Sequence, residues 1–541
     1  MISSGTAPAR SARTVAAWSA LLEWVVIGLL FAASGAWPVP DVNETVYLTK
    51  ARHAADPNWG RGDFFLETPD AHGVFFRLIG PLTASLSLPT AAWIGRWLGW
   101  LAVAGGFVHA IRPLVPGTWA RLVSAALFAL ALRQTTAAGE WVLGGCEAKV
   151  FAWGAVLAAV GEWNHGRWPT AWALAGGGTA LHPLVGGWAQ VALVGAAWWT
   201  GTPWLPRGDK RAPAALWMAV GIGLAAAGVV PALALSGGAT AAEKIEATRI
   251  YVVERLPHHL LVRTFADGLV ARHVLAVCVW LLLRQRLPPT APRRRTAALT
   301  GAALAISLAG CAISLAEPFA PAATRGLLRY YWFRLGDGLV PFTLAATVAA
   351  ALADAGVVAG ICPLPVRLVR TLTVVALAAD IGWQSSHWPL PGRAGLVARA
   401  DTRVDAPAWE AICRWVAANT PADARFLTPR GASSFTWLTG RAEVVGWKNS
   451  PQDVQSLLAW RRRITDCYSR DGALKGMVNS TAELGRDRAL SVAERYGADH
   501  AIIPTDVPGL DRFGWEMLHR EGVYAVYRLP VPTSPAATPE P

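Results

Sequence analysis

The amino-acid sequence predicts a mainly α-helical membrane protein, a polytopic bundle of about eleven spans followed by a small soluble α/β domain. Three observations support this fold class. The chain of 541 residues is 53% hydrophobic and only 16% charged, which exceeds what a water-soluble core of this size needs. Apolar runs of roughly 17 to 25 residues, long enough to cross a bilayer, recur as far as Trp383. Beyond that residue they stop.

Residues 1–386 are predicted to form the membrane domain. The first apolar run, Val15 to Trp37, has no small-residue cleavage site and is predicted to be a retained helix. Segment 169–200 is interpreted as two short helices that meet at His182-Pro183, with a re-entrant pair as the alternative. The predicted spans are 15–38, 87–111, 118–135, 142–161, 169–182, 183–200, 213–235, 267–284, 296–316, 338–354 and 369–386.

Basic residues orient this bundle. With the N-terminus in the cytoplasm, every short basic loop falls on the cytoplasmic side, as the positive-inside rule requires. The residues are Arg112, Arg121, Arg167, Arg207, Lys210, Arg211, Arg284, Arg286, Arg293 to Arg295, Arg367 and Arg370. Topology thus accounts for the net charge of +13, and no nucleic-acid partner is predicted. An odd number of spans places the C-terminal domain and loops 39–86, 236–266 and 317–337 outside.

The predicted extracytoplasmic α/β domain covers residues 388–530. Periodicity predicts helices at 408–418 and 452–468, strands at 425–428 and 522–529, and a helix-turn-strand pattern over 492–504. Cys413 and Cys467 share this domain and either form a disulfide or stay free. No cysteine spacing suits zinc. The tail 531–541 consists mostly of Pro, Ala and Thr and is predicted to be disordered.

The first outer loop, 39–86, carries acidic residues at its start and a histidine near its end. Glu44 and Tyr47 are three residues apart, on one helical face, and Asp41 lies one turn earlier. Asp63 and His72 follow before the second span. Carboxylates at a membrane surface can take a proton from a hydroxyl or hold a divalent ion. The alternative is that they are solvated or cap helices.

This loop resembles the first extracytoplasmic loop of GT-C glycosyltransferases of the protein O-mannosyltransferase and aminoarabinose transferase type. The resemblance rests on the acidic pair at 41–44, Tyr47, Asp63-Phe64-Phe65 and Asp70-Ala71-His72. It implies a membrane bundle with its active site at the outer face and a polyprenyl-phosphate-linked sugar as donor. It also implies Asp41 or Glu44 as the catalytic base or metal ligand, and Asp63 as the second acidic position. The sequence has His72-Gly73-Val74 where those enzymes often have His-Pro-Pro.

Further candidates for substrate binding lie at the outer ends of other spans. Intramembrane ions are costly and usually face a cavity or one another, and Arg suits a diphosphate. The spacing of Glu147 and Lys149 predicts different helix faces and poor mutual pairing. Each candidate has a structural alternative. Glu147 and Lys149 could form ion pairs between helices, and His182 could be a turn residue. The loop around His258 could pack against lipid headgroups, and the segment from Arg325 to Arg334 could form an interfacial aromatic belt. With Tyr47 and His72, these candidates are Glu147, Lys149, His182, His258, Arg325, Arg329 and Arg334.

In the C-terminal domain, Arg441, Trp447-Lys448-Asn449 and Trp460-Arg461-Arg462-Arg463 either cover the membrane-facing site, bind an anionic acceptor or form a solvated surface. The sequence contains no Walker loop, dinucleotide fingerprint, nucleophile elbow or HExxH motif.

The functional prediction is an integral membrane glycosyltransferase of the bacterial cytoplasmic (inner) membrane. It would move a sugar from a polyprenyl-phosphate donor to an envelope acceptor at the extracytoplasmic face. Asp41 or Glu44 would deprotonate the acceptor, and Arg329, Arg334 and Lys149 would stabilise the departing phosphate. No metal ligands are assigned and no cofactor is required, although a divalent cation remains open. The alternative is a non-catalytic transporter, lipid-carrier flippase or scaffold, and the oligomeric state is not predicted.

Overall fold

The computed structural model describes residues 7–206, 208–391, 393 and 395–530, with side chains from residue 17 onward. The predicted disordered tail 531–541 and Arg207 lie outside the described residues. The chain is mainly helical, with a small sheet near the C-terminus. The helices before residue 390 are α1 (Ala7–Gly35), α2 (Glu44–Ala55), α3 (Gly73–Ser85), α4 (Leu88–Ile111), α5 (Thr118–Gln134), α6 (Ala148–Asn164), α7 (Trp168–Leu181), α8 (Pro183–Trp199), α9 (Arg211–Ala234), α10 (Ala241–Arg249), α11 (Pro257–Leu260), α12 (Asp267–Arg284), α13 (Ala291–Leu315), α14 (Pro321–Leu328), α15 (Arg334–Ala353), α16 (Ala355–Ile361) and α17 (Val366–Ser385).

Five of the described helices are long and apolar enough to cross a membrane, namely α1, α4, α9, α13 and α15. The pair α16 and α17, bent by 92° at a short break, is a sixth candidate. Each predicted span overlaps a helix, but α5 to α8 have only 14 to 17 residues. The number of eleven spans therefore stays a prediction. The break predicted at His182-Pro183 is present, because α7 ends at Leu181 and α8 begins at Pro183.

Glycines allow the central helices to approach closely. A Cβ on Gly106 of α4 would collide with the carbonyl oxygen of Gly154 on α6, and a Cβ on Gly176 of α7 would collide with that of Gly221 on α9. Small residues at such crossings replace the hydrophobic driving force, which lipid does not supply between membrane helices. The result is one continuous buried core around Phe107.

The first outer loop is itself largely helical. Its helices α2 and α3 pack against each other through Leu48, Ala51 and Phe75, all nearly inaccessible to solvent. Because α2 begins at Glu44, its first turn points the loop's acidic residues toward α4 and the segment before α6. The loop is thus a fixed platform on one end of the bundle.

The C-terminal region, residues 395–530, carries the sheet. Its strand order is β2-β1-β3-β5-β4, parallel among the first three strands and antiparallel in the last two pairings. The predicted small sheet is therefore confirmed. The remaining elements are α18 (Ala406–Asn419), β1 (Arg425–Leu427), α19 (Phe435–Thr439), β2 (Ala442–Glu443), α20 (Val454–Tyr468), α21 (Arg486–Tyr496), β3 (His500–Pro504), β4 (Glu516–Glu521) and β5 (Tyr524–Arg528).

Two apolar layers cover this sheet, one containing Trp409 of α18 and the other containing Trp460 of α20. Cys413 belongs to the first layer and Cys467 to the second, and both are buried free thiols. The disulfide considered from the sequence is absent because the two cysteines lie in separate apolar layers.

The C-terminal region docks onto the first loop through Asp63. One carboxylate oxygen of Asp63 accepts hydrogen bonds from the Thr436 hydroxyl and the Glu443 backbone N–H, both at 3.1 Å. Arg425 donates to the Gly62 carbonyl at 3.0 Å. These bonds bring the segment after β2, including Lys448, toward the end of the bundle where α2 begins.

Candidate functional site

Glu44 lies in a closed ion pair. Arg96 of α4 donates from Nε to Oε1 at 2.7 Å and from Nη2 to Oε2 at 2.6 Å, and both side chains are fully buried. The backbone N–H groups of Asp41 and Cys146 donate to the same carboxylate at 2.7 and 2.8 Å. Gly145 is required beside it, since a Cβ there would lie 2.8 Å from the carboxylate. With four donors, both Glu44 oxygens are already engaged in hydrogen bonds.

Asp41 and Glu147 form a more open pair of buried carboxylates. Asp41 accepts a hydrogen bond from the Val42 N–H at 2.8 Å, and Arg399 lies 3.7 Å from the same oxygen. Oε2 of Glu147 accepts from Asn43 at 2.9 Å, while its Oε1 is buried without a hydrogen-bond partner among the described residues. The second oxygen of Asp41 and Oε1 of Glu147 lie 3.7 and 3.8 Å from the position of a Cβ on Gly144. The two acids therefore converge on one space.

Lys149 joins this pair from the first turn of α6. Its ammonium lies 3.5 Å from Glu147 and 3.9 Å from Glu140, and 4.4 Å from the ring centre of Trp141. The expectation that Glu147 and Lys149 pair poorly is wrong. Glu147 precedes the helix in an extended conformation, with φ −135° and ψ 148°, so the helical spacing rule does not apply to it.

Lys448 approaches from the C-terminal region. Burial lowers the pKa of its ammonium to about 8, and the charges of Glu147 and Asp41 act against that shift. Within the described chain no carboxylate lies at ion-pair distance from Lys448. Arg255 donates to the Lys448 carbonyl at 3.3 Å and keeps a buried Nε without an acceptor there. Within the described chain, the Lys448 ammonium thus lacks a carboxylate partner and the Arg255 Nε lacks an acceptor.

A cavity of about 250 Å³ opens beside these groups. Its polar lining includes five of the predicted substrate-binding residues, namely Tyr47, His72, His182, Arg329 and Arg334. Burial, followed by the charge of Glu147, raises the pKa of the Tyr47 hydroxyl well above its ordinary value. The acid pair and the cavity are therefore electrostatically connected.

Arg334 links the cavity to Glu140, which itself lies 3.9 Å from Lys149. It donates to Glu140 at 3.0 Å, lies 3.3 Å from the ring Nε2 of His182, and stacks over Tyr331 at 4.1 Å. Tyr331 has a φ of 54°, a left-handed conformation that costs free energy in a bulky residue. That strained turn separates Arg329 from Arg334 and lets both arginines line one cavity.

The opposite wall of the cavity is apolar and continues to the outer surface of α9. Ala232 and Leu235 line it, and the nearby Val230 and Leu233 are each 63% exposed. Arg329, on the polar side, has no carboxylate at ion-pair distance in the described chain. The cavity thus combines a cationic end with an apolar exit, which suits an amphiphilic anion.

Three predicted site residues lie neither in the cavity lining nor in the group formed by Asp41, Glu44, Glu147 and Lys149. Asp63 is engaged in docking, and Arg325 pairs with Glu317 at 2.7 Å. His258 is exposed and stacks on His259 with 4.1 Å between ring centres. Sequence reasoning missed Arg96 and Glu140. A lone arginine within an apolar run was the available signal for Arg96.

The donor set does not suit a divalent cation. The described residues contain no group of three or more His, Cys, Asp or Glu side chains that could hold a metal. At the acid pair, the Lys149 ammonium lies 3.5 Å from Oε2 of Glu147, so a cationic side chain already faces this carboxylate. We therefore derive no step through a metal ion.

Comparisons with known proteins give a weak and consistent picture. Residues 407–467 match a family described as "Domain of unknown function (DUF6798)". No curated protein matches the sequence. In structure, the chain is similar to GT-C glycosyltransferases. One is the arabinofuranosyltransferase AftD from Mycobacteria, at 14% identity and a TM-score of 0.42, over 95% of this chain and 41% of that one.

Another is ArnT from Cupriavidus metallidurans, at 14% identity and a TM-score of 0.36, over 96% of this chain and 98% of that one. The chain thus spans less than half the length of AftD.

Proposed function

We propose that this protein is an integral membrane glycosyltransferase that moves a sugar from a polyprenyl-phosphate donor to an envelope acceptor. The observation that carries the proposal is the cavity at the end of the bundle, which has arginines at one side, the lipid-facing helix α9 at the other and a buried acid pair beside it. A lipid phosphate has the same division into an anionic head and an apolar chain.

In this proposal Arg329 and Arg334 bind the donor phosphate, and the polyprenyl chain leaves past Ala232 and Leu235. Arg329 is suited to this role because it lacks a carboxylate partner among the described residues. Arg334 keeps its pairing with Glu140, so it is held in place before the donor arrives.

Asp41 is our choice of base, because Glu44 is saturated by four donors. The acceptor hydroxyl gives its proton to Asp41 as its oxygen forms a bond to the anomeric carbon. The bond from that carbon to the phosphate oxygen breaks, and the lipid phosphate leaves with the electron pair. Lys149 and Lys448 stabilise the negative charge that develops. Glu44 acts as a positioning residue that fixes the start of α2.

The test is sugar transfer by purified protein in nanodiscs, with radiolabelled polyprenyl-phosphate sugars and envelope lipid extracts. We expect labelled product from the wild type and a loss of about 10²-fold or more in Asp41→Asn. Asp423→Asn, an exposed acid on the C-terminal region, is the matched control and should retain full activity.

Full activity in Asp41→Asn would overturn the assignment of the base. Absence of product with every donor would overturn the glycosyltransferase proposal, and carrier binding or translocation without transfer would favour the flippase alternative.

The proposed location is the bacterial cytoplasmic membrane, with the N-terminus inside and the cavity outside. The basic ends of α12 and α13 lie at the end of the bundle opposite the cavity, as the positive-inside rule requires. A C-terminal alkaline phosphatase fusion should be active in cells, and a C-terminal fluorescent fusion that requires the cytoplasm should be dark. The reverse pattern would invert the topology.

A further inference from the structure

A second cavity, of about 720 Å³, lies between the ends of α8, α12 and α13. Arg284, Arg294 and Arg295 line one end of it. Gly301, Leu304 and Leu308 continue it along α13. A smaller cavity of about 100 Å³ shares Arg284 and Arg294 with it and extends it toward α15. We call this feature the arginine groove.

The arginine groove is far from the candidate active site. Arg293, beside its lining, donates to the Leu114 carbonyl after α4, whereas Arg96 near the start of α4 holds Glu44. Sixteen residues of helix between Arg96 and Ile111 rise roughly 24 Å. The groove is therefore a separate site and is independent of the function proposed above.

The positive charge of the groove is not neutralised by the protein. In the described parts of the chain, no carboxylate lies within 4.0 Å of Arg284, Arg294 or Arg295. Two acidic residues at the same end of the bundle, Glu162 and Glu23, pair with Arg167 and Arg112 instead. Arg284 stacks over Trp280 at 5.5 Å, which holds its guanidinium at the mouth of the groove.

The remainder of the groove is apolar and open to the bilayer. Leu281, Leu308 and Trp199 are 41%, 68% and 72% exposed. A Cβ on Gly301 would meet nothing within 4 Å, so the groove has room at its middle. From Arg294 to Leu308 the helix rises roughly 21 Å, enough to cover the hydrocarbon of one leaflet, which is about 15 Å.

We propose that the arginine groove binds an anionic phospholipid of the surrounding bilayer. Its phosphate diester lies between Arg284 and Arg294, and one acyl chain runs along α13 past Gly301 to Leu308. Charge complementarity selects an anionic headgroup over a zwitterionic one, and the apolar continuation selects a lipid over free phosphate. The bound lipid braces the α12–α13 pair against α8.

The test is native mass spectrometry of the delipidated full-length protein, titrated with phosphatidylglycerol, phosphatidylcholine or glycerol phosphate. We expect phosphatidylglycerol to bind best and glycerol phosphate not to compete with it. Arg284→Gln/Arg294→Gln should weaken phosphatidylglycerol binding by about fivefold for each arginine. The matched control Arg211→Gln/Arg286→Gln removes two exposed charges outside the groove lining and should bind as the wild type does.

A second variant keeps the charges and fills the space. Gly301 lies within helix α13, and a Cβ there would face empty space. Gly301→Leu should therefore retain the fold while its side chain excludes the acyl chain. Its phosphatidylglycerol binding should fall as well. Equal weakening in both arginine pairs, equal binding of phosphatidylcholine, full competition by glycerol phosphate, or unchanged binding in Gly301→Leu would each overturn the proposal.

Discussion

Asp41 and Glu44 are three residues apart and equally buried, yet their surroundings differ sharply. Glu44 receives four donors, two of them from a guanidinium that is itself inaccessible to solvent. Asp41 receives the N–H of its own neighbour and lies 3.7 Å from Arg399. A filled set of donors makes a carboxylate a structural anchor, whereas a partly filled set leaves an oxygen able to accept a hydrogen bond from a substrate hydroxyl.

The difference shows that burial and acidity alone do not identify a base. Glu44 belongs to the first turn of α2 and organises the loop, while Asp41 and Glu147 face a shared space. What separates the two roles is the number of hydrogen-bond donors that the rest of the fold supplies to each carboxylate.

The largest effect is expected for Arg96→Met, which tests whether the Glu44–Arg96 ion pair is a structural anchor. The substitution leaves Glu44 buried without its counter-charge, and we expect the free energy of unfolding to fall by about 3–5 kcal/mol. Denaturant unfolding in detergent measures the loss, and Arg77→Met, an exposed arginine on α3, is the control. A loss below about 1 kcal/mol would show that the pair is not an anchor. The double variant Glu44→Gln/Arg96→Met should be more stable than Arg96→Met alone.

A second experiment tests the role of the Lys448 ammonium near Asp41 and Glu147. Lys448→Met should lower transfer activity by about 10²-fold, because an unpaired buried cation next to the acid pair is lost. In the wild type, activity should fall as pH rises through about 8, where the Lys448 ammonium loses its proton. Lys448→Arg stays charged and should remain active above that pH. Identical pH profiles for wild type and Lys448→Arg would contradict a role for this charge.

A third prediction concerns Asp63 and Glu443, the two buried acids at the docking contact between the first loop and the C-terminal region. Burial and the charge of Asp63 raise the pKa of Glu443 to about 8 from its usual 4.5. The folded protein therefore holds a proton that the unfolded chain releases, so this contribution is complete below pH 4.5 and is lost as pH rises through about 8. Thermal unfolding should show declining stability over this range, and Glu443→Gln should flatten the decline. An unchanged slope in Glu443→Gln would exclude Glu443 as its source.

The smallest effect is expected at Glu317, which pairs with Arg325 and Arg263 away from Asp41 and Glu147. Arg325→Gln removes one of the two arginines on Glu317, and Arg263 remains at 2.9 Å. Stability should change by less than about 1 kcal/mol and transfer activity by less than about twofold. Thermal unfolding and the transfer assay measure both. A large loss of activity here would extend the donor site beyond the cavity.

The sequence was sufficient for the helical bundle and the small sheet, because apolar run length and alternation are local properties. It also predicted Tyr47, His72, Arg329 and Arg334 as substrate-binding residues; they line one cavity, and their role stays a prediction. It did not separate Asp41 from Glu44, because Arg96, 52 residues beyond Glu44, decides that difference. Nor did it recognise that Glu147 precedes the helix and so pairs with Lys149. Such contacts depend on which helices touch, and no local pattern encodes them.

The docking contact at Asp63 has a consequence for the newly made chain. Asp41 leaves the ribosome about 400 residues before Lys448 and Glu443. The acid pair therefore acquires its second lysine only when the C-terminal region has folded and seated on the loop. Before that docking, the proposed centre lacks Lys448, so the proposed chemistry begins only after the C-terminal region has been synthesised and seated on the loop.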